Sequence, residues 1–98
     1  MVRHLIHDVA RMGAVRDYVA AAKAAIDAAP SAGLPRYTIW TATFGRYNSF
    51  WYEADFASIA EHLAAWQRAE AEPAFFERWL ELGTYSVEAE DWILEPVG

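Results

Sequence analysis

The chain has 98 residues, no cysteine and a formal net charge of −6. This length favours a single domain that spans residues 1–98. The lack of cysteine excludes disulfide bonds, a thiolate nucleophile and thiolate-bound metals. The acidic balance argues against a nucleic-acid partner, because binding to phosphates needs a basic surface.

The sequence also has no recognisable targeting signal. No apolar run approaches the length of a membrane-spanning helix, and the N-terminus lacks the basic and then apolar layout of a secretory signal. We therefore expect no membrane partner and a cytoplasmic location.

The first third of the chain has the patterns of a strand and then a helix. Residues 2–9 (VRHLIHDV) carry apolar side chains at their centre over the length of one strand. From Ala14 onward, apolar residues recur every three or four positions, which predicts a helix. They are Val15, Tyr18, Val19, Ala22, Ile26 and Ala29. Pro30 is expected to end this helix, and residues 30–35 have the prolines and glycine of a loop.

The strongest pattern is the segment Arg36–Phe56, which predicts two strands of a hairpin. β-Branched and aromatic residues dominate both arms, as is typical of strands. The reversal is predicted at residues 45–48, because Gly45 and Asn48 tolerate the positive φ angles that a tight turn needs. The first arm is expected to extend to Phe44.

Both faces of this hairpin are rich in aromatic residues. In the second arm, alternation places Phe50, Tyr52, Ala54 and Phe56 on one face and Ser49, Trp51, Glu53 and Asp55 on the other. A sheet with aromatic side chains on both faces must be covered on both sides. If helices cover one face, a second copy of the chain is the simplest cover for the other, so we expect a homodimer.

Two helical segments follow the hairpin. Ser58 and Glu61 have the spacing of a capping box, which predicts the start of a helix. Its apolar stripe is expected to be Ile59, Leu63, Trp66 and Ala69. Pro73 should break this helix near residue 71 and open a second segment, which Gly83 is placed to end.

The last predicted strand covers residues 84–95 (TYSVEAEDWILE) and ends at Pro96. Its early part alternates in polarity, whereas the run after Asp91 does not. Such a break predicts a β-bulge or an arm that reaches a partner.

The predicted order β-α-β-β-α-β is that of the ferredoxin-like α+β fold, a four-stranded antiparallel sheet with both helices on one face. Two such sheets packed face to face form a dimeric α/β barrel. This arrangement would cover the second aromatic face of the hairpin.

The middle and C-terminal parts of the chain resemble NIPSNAP-type members of the dimeric α/β barrel superfamily. The resemblance rests on FGRYNS at residues 44–49, the strand FWYEADF, the capped helix at Ser58 and the closing TYSVEAEDWILEPV. It covers residues 36–97, and the N-terminal third matches only in element order.

More distantly, the chain is similar to the antibiotic-biosynthesis monooxygenases of the same superfamily. Tyr52-Glu53 at the end of a strand and His62 early in the next helix carry this similarity. Some members of that group are cofactor-independent oxygenases of polycyclic aromatics and others degrade haem, with the ligand between helices and sheet. The resemblance implies such a pocket here. It does not extend to the catalytic set, because no Asn-Trp-His arrangement matches residue by residue.

Two residues are candidates for catalysis. His62 is the first, because histidine titrates near neutral pH and can transfer a proton; the alternative is a partly exposed helical histidine. Glu53 is the second, as a base. A structural ion pair of Glu53 and Asp55 with an arginine is favoured over that role. The arginines considered are Arg3, Arg36 and Arg46.

A ligand would be held by residues close to these two. The predicted ligand-binding residues are Tyr52, Phe56, Trp66 and Asn48. The alternatives are that the aromatic residues belong to the core and that Asn48 serves only the turn.

No metal or cofactor is expected. His4 and His7 would point to opposite faces of a strand, which argues against a shared metal ion. His4 and Asp8 would share a face and are expected to form a hydrogen-bonded pair. Phosphate-binding loops and dinucleotide motifs are absent.

Two classes of function stay open. The first is a dimeric protein that binds a small hydrophobic or aromatic ligand between helices and sheet, with a cofactor-independent monooxygenase as its enzymatic form. The second is a non-enzymatic dimeric module that acts through protein partners. A cavity on the order of several hundred Å³ with convergent polar groups would favour the first.

Overall fold

The computed structural model describes residues 1–98. The elements follow the predicted order, with the second helical region divided into two helices. They are β1 (Val2–Ala10), α1 (Val15–Ala28), a 3₁₀ turn (Pro30–Ala32), β2 (Thr38–Thr41), β3 (Ser49–Phe56), α2 (Ile59–Glu70), α3 (Pro73–Thr84) and β4 (Ser86–Leu94). None of the helices has the length and apolar composition needed to cross a membrane.

The four strands form one antiparallel sheet in the order β2-β3-β1-β4. The first and third strands are central and the second and fourth are at the edges, which is the ferredoxin-like arrangement. The predicted fold class is therefore confirmed. Because β1 pairs with both β3 and β4, it brings side chains from the two halves of the chain together.

The hydrophobic core lies between the helices and one face of the sheet, called here the helix face. Alternate residues of the central strands point into it. The larger core side chains are Val2, Ile6, Tyr18, Ile26, Leu34, Tyr37, Phe50, Tyr52, Phe56, Phe75 and Leu82. Alanines of α1 and α2 fill the space between them, which lets these helices lie close to the sheet.

The opposite side of the sheet, called here the open face, has no element of this chain over it. Its side chains include Arg3, Leu5, His7, Trp40, Trp51, Glu53, Asp55, Glu90, Trp92 and Leu94. Trp40 is 55% exposed and Trp92 is 39% exposed. The Cα atoms span only 17 Å in the thinnest direction, which fits one sheet and one helix layer.

The hairpin differs from its prediction in the length of the first arm. β2 ends at Thr41, and residues 42–48 form the connection. The register pairs Thr41 with Phe50, and β3 begins at Ser49, so the residues after Ala42 have no strand to pair with. Gly45 and Asn48 have the positive φ angles predicted for them, 123° and 58°.

The apolar stripe predicted for α2 is confirmed for Trp66 and Ala69 and wrong for Ile59 and Leu63. The buried residues are His62, Ala65 and Ala69, whereas Ile59 is 44% exposed and Leu63 is 55% exposed. Small side chains allow a closer approach to the sheet than Ile59 and Leu63 would, and this sets the rotation of the helix. The rotation turns His62 inward.

Two expectations near the C-terminus also fail, the helix end at Gly83 and the bulge after Asp91, whereas the alternative of an arm that reaches a partner stays a prediction. Gly83 lies inside the last turn of α3, which continues to Thr84. The bulge in β4 lies at Val87, between the pairs Val9–Glu88 and Ala10–Ser86, and the run after Asp91 pairs regularly with β1. Polarity is a weak guide in β4 because most of this edge strand is exposed.

Candidate functional site

A cleft of about 400 Å³ opens between the sheet and helices α2 and α3. Its walls combine aromatic, imidazole and carboxylate side chains, which is the mixture expected of a ligand site. It is lined by His4, Ile6, His62, Trp66, Glu70, Trp79, Ala89, Glu90 and Asp91. The strands β1 and β4 form its floor and one edge.

Helix α2 supplies three of the lining residues. His62, Trp66 and Glu70 are spaced by four positions, so they lie above one another on the same side of the helix. The helix starts as predicted, since the backbone N–H of Glu61 donates to the Ser58 side chain at 3.2 Å. Local sequence thus fixes where the cleft-lining segment begins.

A chain of hydrogen bonds crosses the cleft floor. Trp66 Nε1 donates to the Tyr37 hydroxyl oxygen at 3.0 Å. That hydroxyl lies 2.6 Å from His4 Nδ1, and His4 Nε2 lies 3.0 Å from a carboxylate oxygen of Asp91. Because a carboxylate only accepts, we assign the proton of neutral His4 to Nε2, which leaves Nδ1 to accept from Tyr37. The Trp66 N–H, the Tyr37 hydroxyl and both ring nitrogens of His4 therefore all have hydrogen-bond partners.

Burial keeps these groups uncharged. It lowers the pKa of His4 from its usual 6.5, and the hydrogen bond and charge of Asp91 oppose the shift only in part. Burial also raises the pKa of the Tyr37 hydroxyl, although its hydrogen bond from Trp66 works against this. The hydrogen-bonded side chains of Trp66, Tyr37 and His4 are therefore uncharged, and the series ends at the Asp91 carboxylate.

His62 lies beside this chain and is not part of it. The residue is 8% exposed, and neither ring nitrogen has a hydrogen-bond partner. Its ring centroid is 4.4 Å from that of His4 and 5.0 Å from that of Phe56. Burial lowers the pKa of His62, and the proximity of His4 adds to the effect. The neutral ring offers one N–H donor and one acceptor to a molecule in the cleft.

The remaining walls are apolar and aromatic. The rings of Trp66 and Trp79 meet edge to face with centroids 5.2 Å apart, and Phe75 packs behind them. These indoles offer flat apolar surface on the helix side of the cleft. No group of three or more histidine, aspartate or glutamate side chains is arranged to hold a metal ion.

A second buried polar cluster lies deeper in the core. Asp8 accepts hydrogen bonds from Tyr18, at 2.9 Å, and from Ser86, and the Tyr18 hydroxyl also contacts that of Tyr52. The expected pair of His4 and Asp8 is therefore wrong. Four residues along a strand span about 13 Å, which is too far for a hydrogen bond. Asp8, Tyr18 and Tyr52 are buried, and none of their side-chain oxygens lacks a partner.

The structure brings two of the six predicted site residues into the cleft, His62 and Trp66. Phe56 contacts the ring of His62 from the core side, and Tyr52 belongs to the deeper cluster. Asn48 lies in the hairpin connection, where its amide approaches the sulfur of Met12.

Glu53 lies on the open face, away from His62. It accepts from Trp40 Nε1 at 2.9 Å and is 4.0 Å from Arg3, which also binds Asp55 at 2.8 Å. The expected ion pairs of these carboxylates therefore form, with Arg3 as the partner. Arg36 and Arg46 instead pair with Asp27 and Glu88.

The site residues that were not anticipated include His4, Tyr37, Trp79 and Asp91. A signal for two of them was present in the predicted strand order. In a ferredoxin-like sheet the first and last strands are antiparallel neighbours, which brings the start of one beside the end of the other. His4 and Asp91 meet in this way.

No protein-family model and no curated protein matches the sequence. Solved structures do share the fold. A NIPSNAP family protein with unknown function from Agrobacterium tumefaciens has 18% sequence identity and a TM-score of 0.86, over 98% of this chain and 87% of that chain. An uncharacterized NIPSNAP domain protein from Burkholderia xenovorans has 17% identity and a TM-score of 0.85, over 99% and 95%.

A structure of an oxygenase is also similar. A mutant of SnoaB, a cofactor-independent oxygenase from Streptomyces nogalater, has 19% identity and a TM-score of 0.73, over 97% of this chain and 91% of that chain. At these identities the likeness concerns the fold. The resemblances to NIPSNAP proteins and to antibiotic-biosynthesis monooxygenases are confirmed at that level.

Proposed function

We propose that this protein binds a small, flat, largely apolar molecule in the cleft beside His62. The observation that carries the proposal is the pair of partnerless ring nitrogens of His62 in a nine-tenths buried position. A buried polar group without a partner costs about 1–3 kcal/mol of stability. A ligand that hydrogen-bonds to His62 would offset this cost.

The surroundings of His62 support the same proposal. Trp66 and Trp79 provide apolar walls, and the hydrogen bonds of Tyr37 and His4 hold the floor in one arrangement. A site whose side chains are already ordered spends little binding energy on ordering them. The volume of about 400 Å³ falls in the range of small-molecule sites.

A cofactor-independent monooxygenase is the enzymatic form of this proposal. His62, neutral and unpartnered, is the group able to take a proton from a bound substrate or return one. The similar fold of SnoaB is compatible with such chemistry, but one fold supports many functions.

We also propose that the protein is a homodimer that buries the open face of the sheet. Trp51 and Trp92 stack there with centroids 6.0 Å apart, and Trp40 and Leu94 extend the apolar surface. Arg3 pairs with Asp55 and lies 4.0 Å from Glu53, which offsets part of the negative charge of this face. A second copy of the same face matches this mixture, and two-fold contacts of this kind are the commonest in oligomers.

Calorimetric titration with 2-(1-naphthyl)ethanol tests the ligand proposal. This probe carries a flat aromatic body and one hydroxyl group for His62. The wild-type protein should bind it, and His62→Leu should weaken binding about tenfold, because losing one buried hydrogen bond costs about 1–1.5 kcal/mol. Leu63→Ala, next to His62 but exposed, is the control and should bind like the wild type.

The proposal fails if the wild-type protein does not bind the probe at millimolar concentration. It also fails if His62→Leu and the wild type bind equally well, because the ligand would then lie elsewhere. The first outcome would favour the alternative function, a dimeric module that acts through protein partners.

A further inference from the structure

We propose that the cleft selects an organic cation, namely a molecule with a flat aromatic body and an amine that is protonated at neutral pH. This inference rests on the proposed function, since it names the class of ligand held beside His62. It follows from the charge of the lining, the indole walls and the unpartnered imidazole, which are three separate features of the cleft.

The charge of the lining has one sign. Glu70 and Asp91 supply carboxylates to the lining, and none of the nine lining residues is a lysine or arginine. Glu90 pairs with His7, so its side chain lies on the open face of the sheet. A cleft lined by one sign of charge raises the local concentration of ligands of the opposite sign. The cleft therefore attracts a cation and repels an anion.

Asp91 is placed to receive such a cation. One of its carboxylate oxygens accepts from His4 at 3.0 Å, and the other has no protein donor. The side chain of Asp91 is 66% exposed, so this second oxygen is open to a ligand that enters from solvent. His4, held neutral by burial, does not cancel its charge.

The indole walls favour a cation over a neutral group of the same shape. Trp66 and Trp79 both line the cleft. Among aromatic side chains, tryptophan gives the strongest cation–π attraction, and the effect grows when the cation is partly desolvated. An aromatic body can lie against the same rings, so one molecule can use both properties.

His62 supplies the contact that an acidic cluster alone would lack. Its ring nitrogens are buried in the cleft wall without partners, and the neutral imidazole has a free acceptor nitrogen. An ammonium group has several N–H donors. It can donate one to His62 while its charge is balanced by the carboxylates of Asp91 and Glu70.

Three probes that share one aromatic body test the inference: 2-(1-naphthyl)ethylamine, 2-(1-naphthyl)ethanol and 1-naphthylacetate. They are protonated, neutral and anionic at pH 7.5. Exposed and half-exposed ion pairs contribute up to about 1 kcal/mol each, so we expect the amine to bind about tenfold more tightly than the alcohol. The carboxylate should bind most weakly of the three.

Charge-neutralising variants locate the effect. Glu70→Gln and Asp91→Asn should each weaken binding of the amine about threefold and weaken binding of the alcohol by clearly less. Glu77→Gln is the matched control, because Glu77 is exposed on α3, does not line the cleft and changes the net charge equally. It should leave both affinities unchanged.

The outcomes separate this inference from the proposed function. Equal binding of all three probes, lost in His62→Leu, would overturn the selection for cations and leave the aromatic site intact. Tight amine binding that Glu70→Gln and Asp91→Asn do not weaken would also overturn it. If none of the probes binds, the proposed function fails together with the inference.

Discussion

At the scale of single residues, the two buried polar clusters differ in whether their hydrogen bonds are complete. Asp8, Tyr18 and Tyr52 satisfy one another in the core, whereas His62 has no partner. A cluster with complete hydrogen bonds favours one packing arrangement. A cluster with incomplete hydrogen bonds has donors and acceptors left for another molecule. Substitutions in the two clusters should therefore act in opposite directions.

In the complete cluster, Tyr18 should matter more than Tyr52. Tyr18→Phe leaves one oxygen of the Asp8 carboxylate and the Tyr52 hydroxyl without a partner, so we expect a loss of about 2–3 kcal/mol. Tyr52→Phe breaks only one bond and should cost about 1 kcal/mol. Urea denaturation of the two variants measures the difference. Equal losses would show that Tyr18 does not bridge the cluster.

In the incomplete cluster, His62→Leu should stabilise the protein without ligand. The substitution removes two buried, unpartnered nitrogens and keeps an apolar side chain of similar size, so the free energy of unfolding should rise by about 1 kcal/mol. Denaturation at pH 7.5, where the ring is neutral, provides the comparison with wild type. A fall in stability would mean that His62 is a structural residue.

The histidines also predict how stability depends on pH. Burial lowers the pKa values of His4 and His62 in the folded protein, whereas histidine in an unfolded chain titrates near about 6.5. Below this pH the unfolded chain binds more protons, so acid favours unfolding. The free energy of unfolding should be at its full value above about pH 6.5 and fall below it.

Urea denaturation between pH 7.5 and pH 5 measures this dependence. His62→Leu lacks one of the two groups and should show a shallower decline than wild type. Stability that stays constant or increases as the pH falls through this range would contradict the pKa directions given for both histidines.

At the scale of elements, local chemistry predicted where helices begin better than which side they bury. Ser58 and Pro73 mark the start of α2 and α3 as expected, because capping and the missing proline N–H act within a few residues. The rotation of α2 depends instead on how closely it can approach the sheet. The spacing of apolar residues favoured burial of Leu63. The structure buries Ala65 and Ala69 against the sheet instead, and the sequence of α2 alone does not show this.

Ser58 tests how far α2 controls the cleft. Ser58→Ala removes the acceptor for the Glu61 N–H and should cost about 1 kcal/mol of stability, while Ser58→Asp keeps an acceptor and should cost little. Ser58→Ala should also weaken binding of 2-(1-naphthyl)ethanol more than Ser58→Asp does, since α2 carries His62 and Trp66. Thermal denaturation and titration report the two effects, and equal behaviour of the two variants would contradict this role of the cap.

At the scale of the whole molecule, the sequence predicted strand order, layer arrangement and the exposed aromatic face. These follow from the order of elements and from alternation along strands. The fold class makes β1 and β4 neighbours, but the contact of His4 with Asp91, 87 residues apart, also depends on the register of these strands, which the sequence alone did not provide. Glu53, adjacent in sequence to Tyr52, lies on the opposite face because side chains alternate.

The open face provides the prediction for assembly. The wild-type protein should be a dimer of the 11.1 kDa chain, and Trp92→Lys should give a monomer, because a charge buried without a partner is costly. Leu80→Lys, an equal change on the exposed side of α3, should remain dimeric. Size-exclusion chromatography with light scattering measures the mass. A monomeric wild type would contradict the proposed dimer.

The central claim is that the cleft beside His62 holds a ligand. A high-resolution crystal structure of protein purified directly from cells tests it without a choice of probe. We predict density for a flat molecule between Trp66 and the sheet, with a polar atom about 3 Å from a ring nitrogen of His62. A cleft closed by repacked side chains, with His62 hydrogen-bonded to a protein group, would contradict the claim.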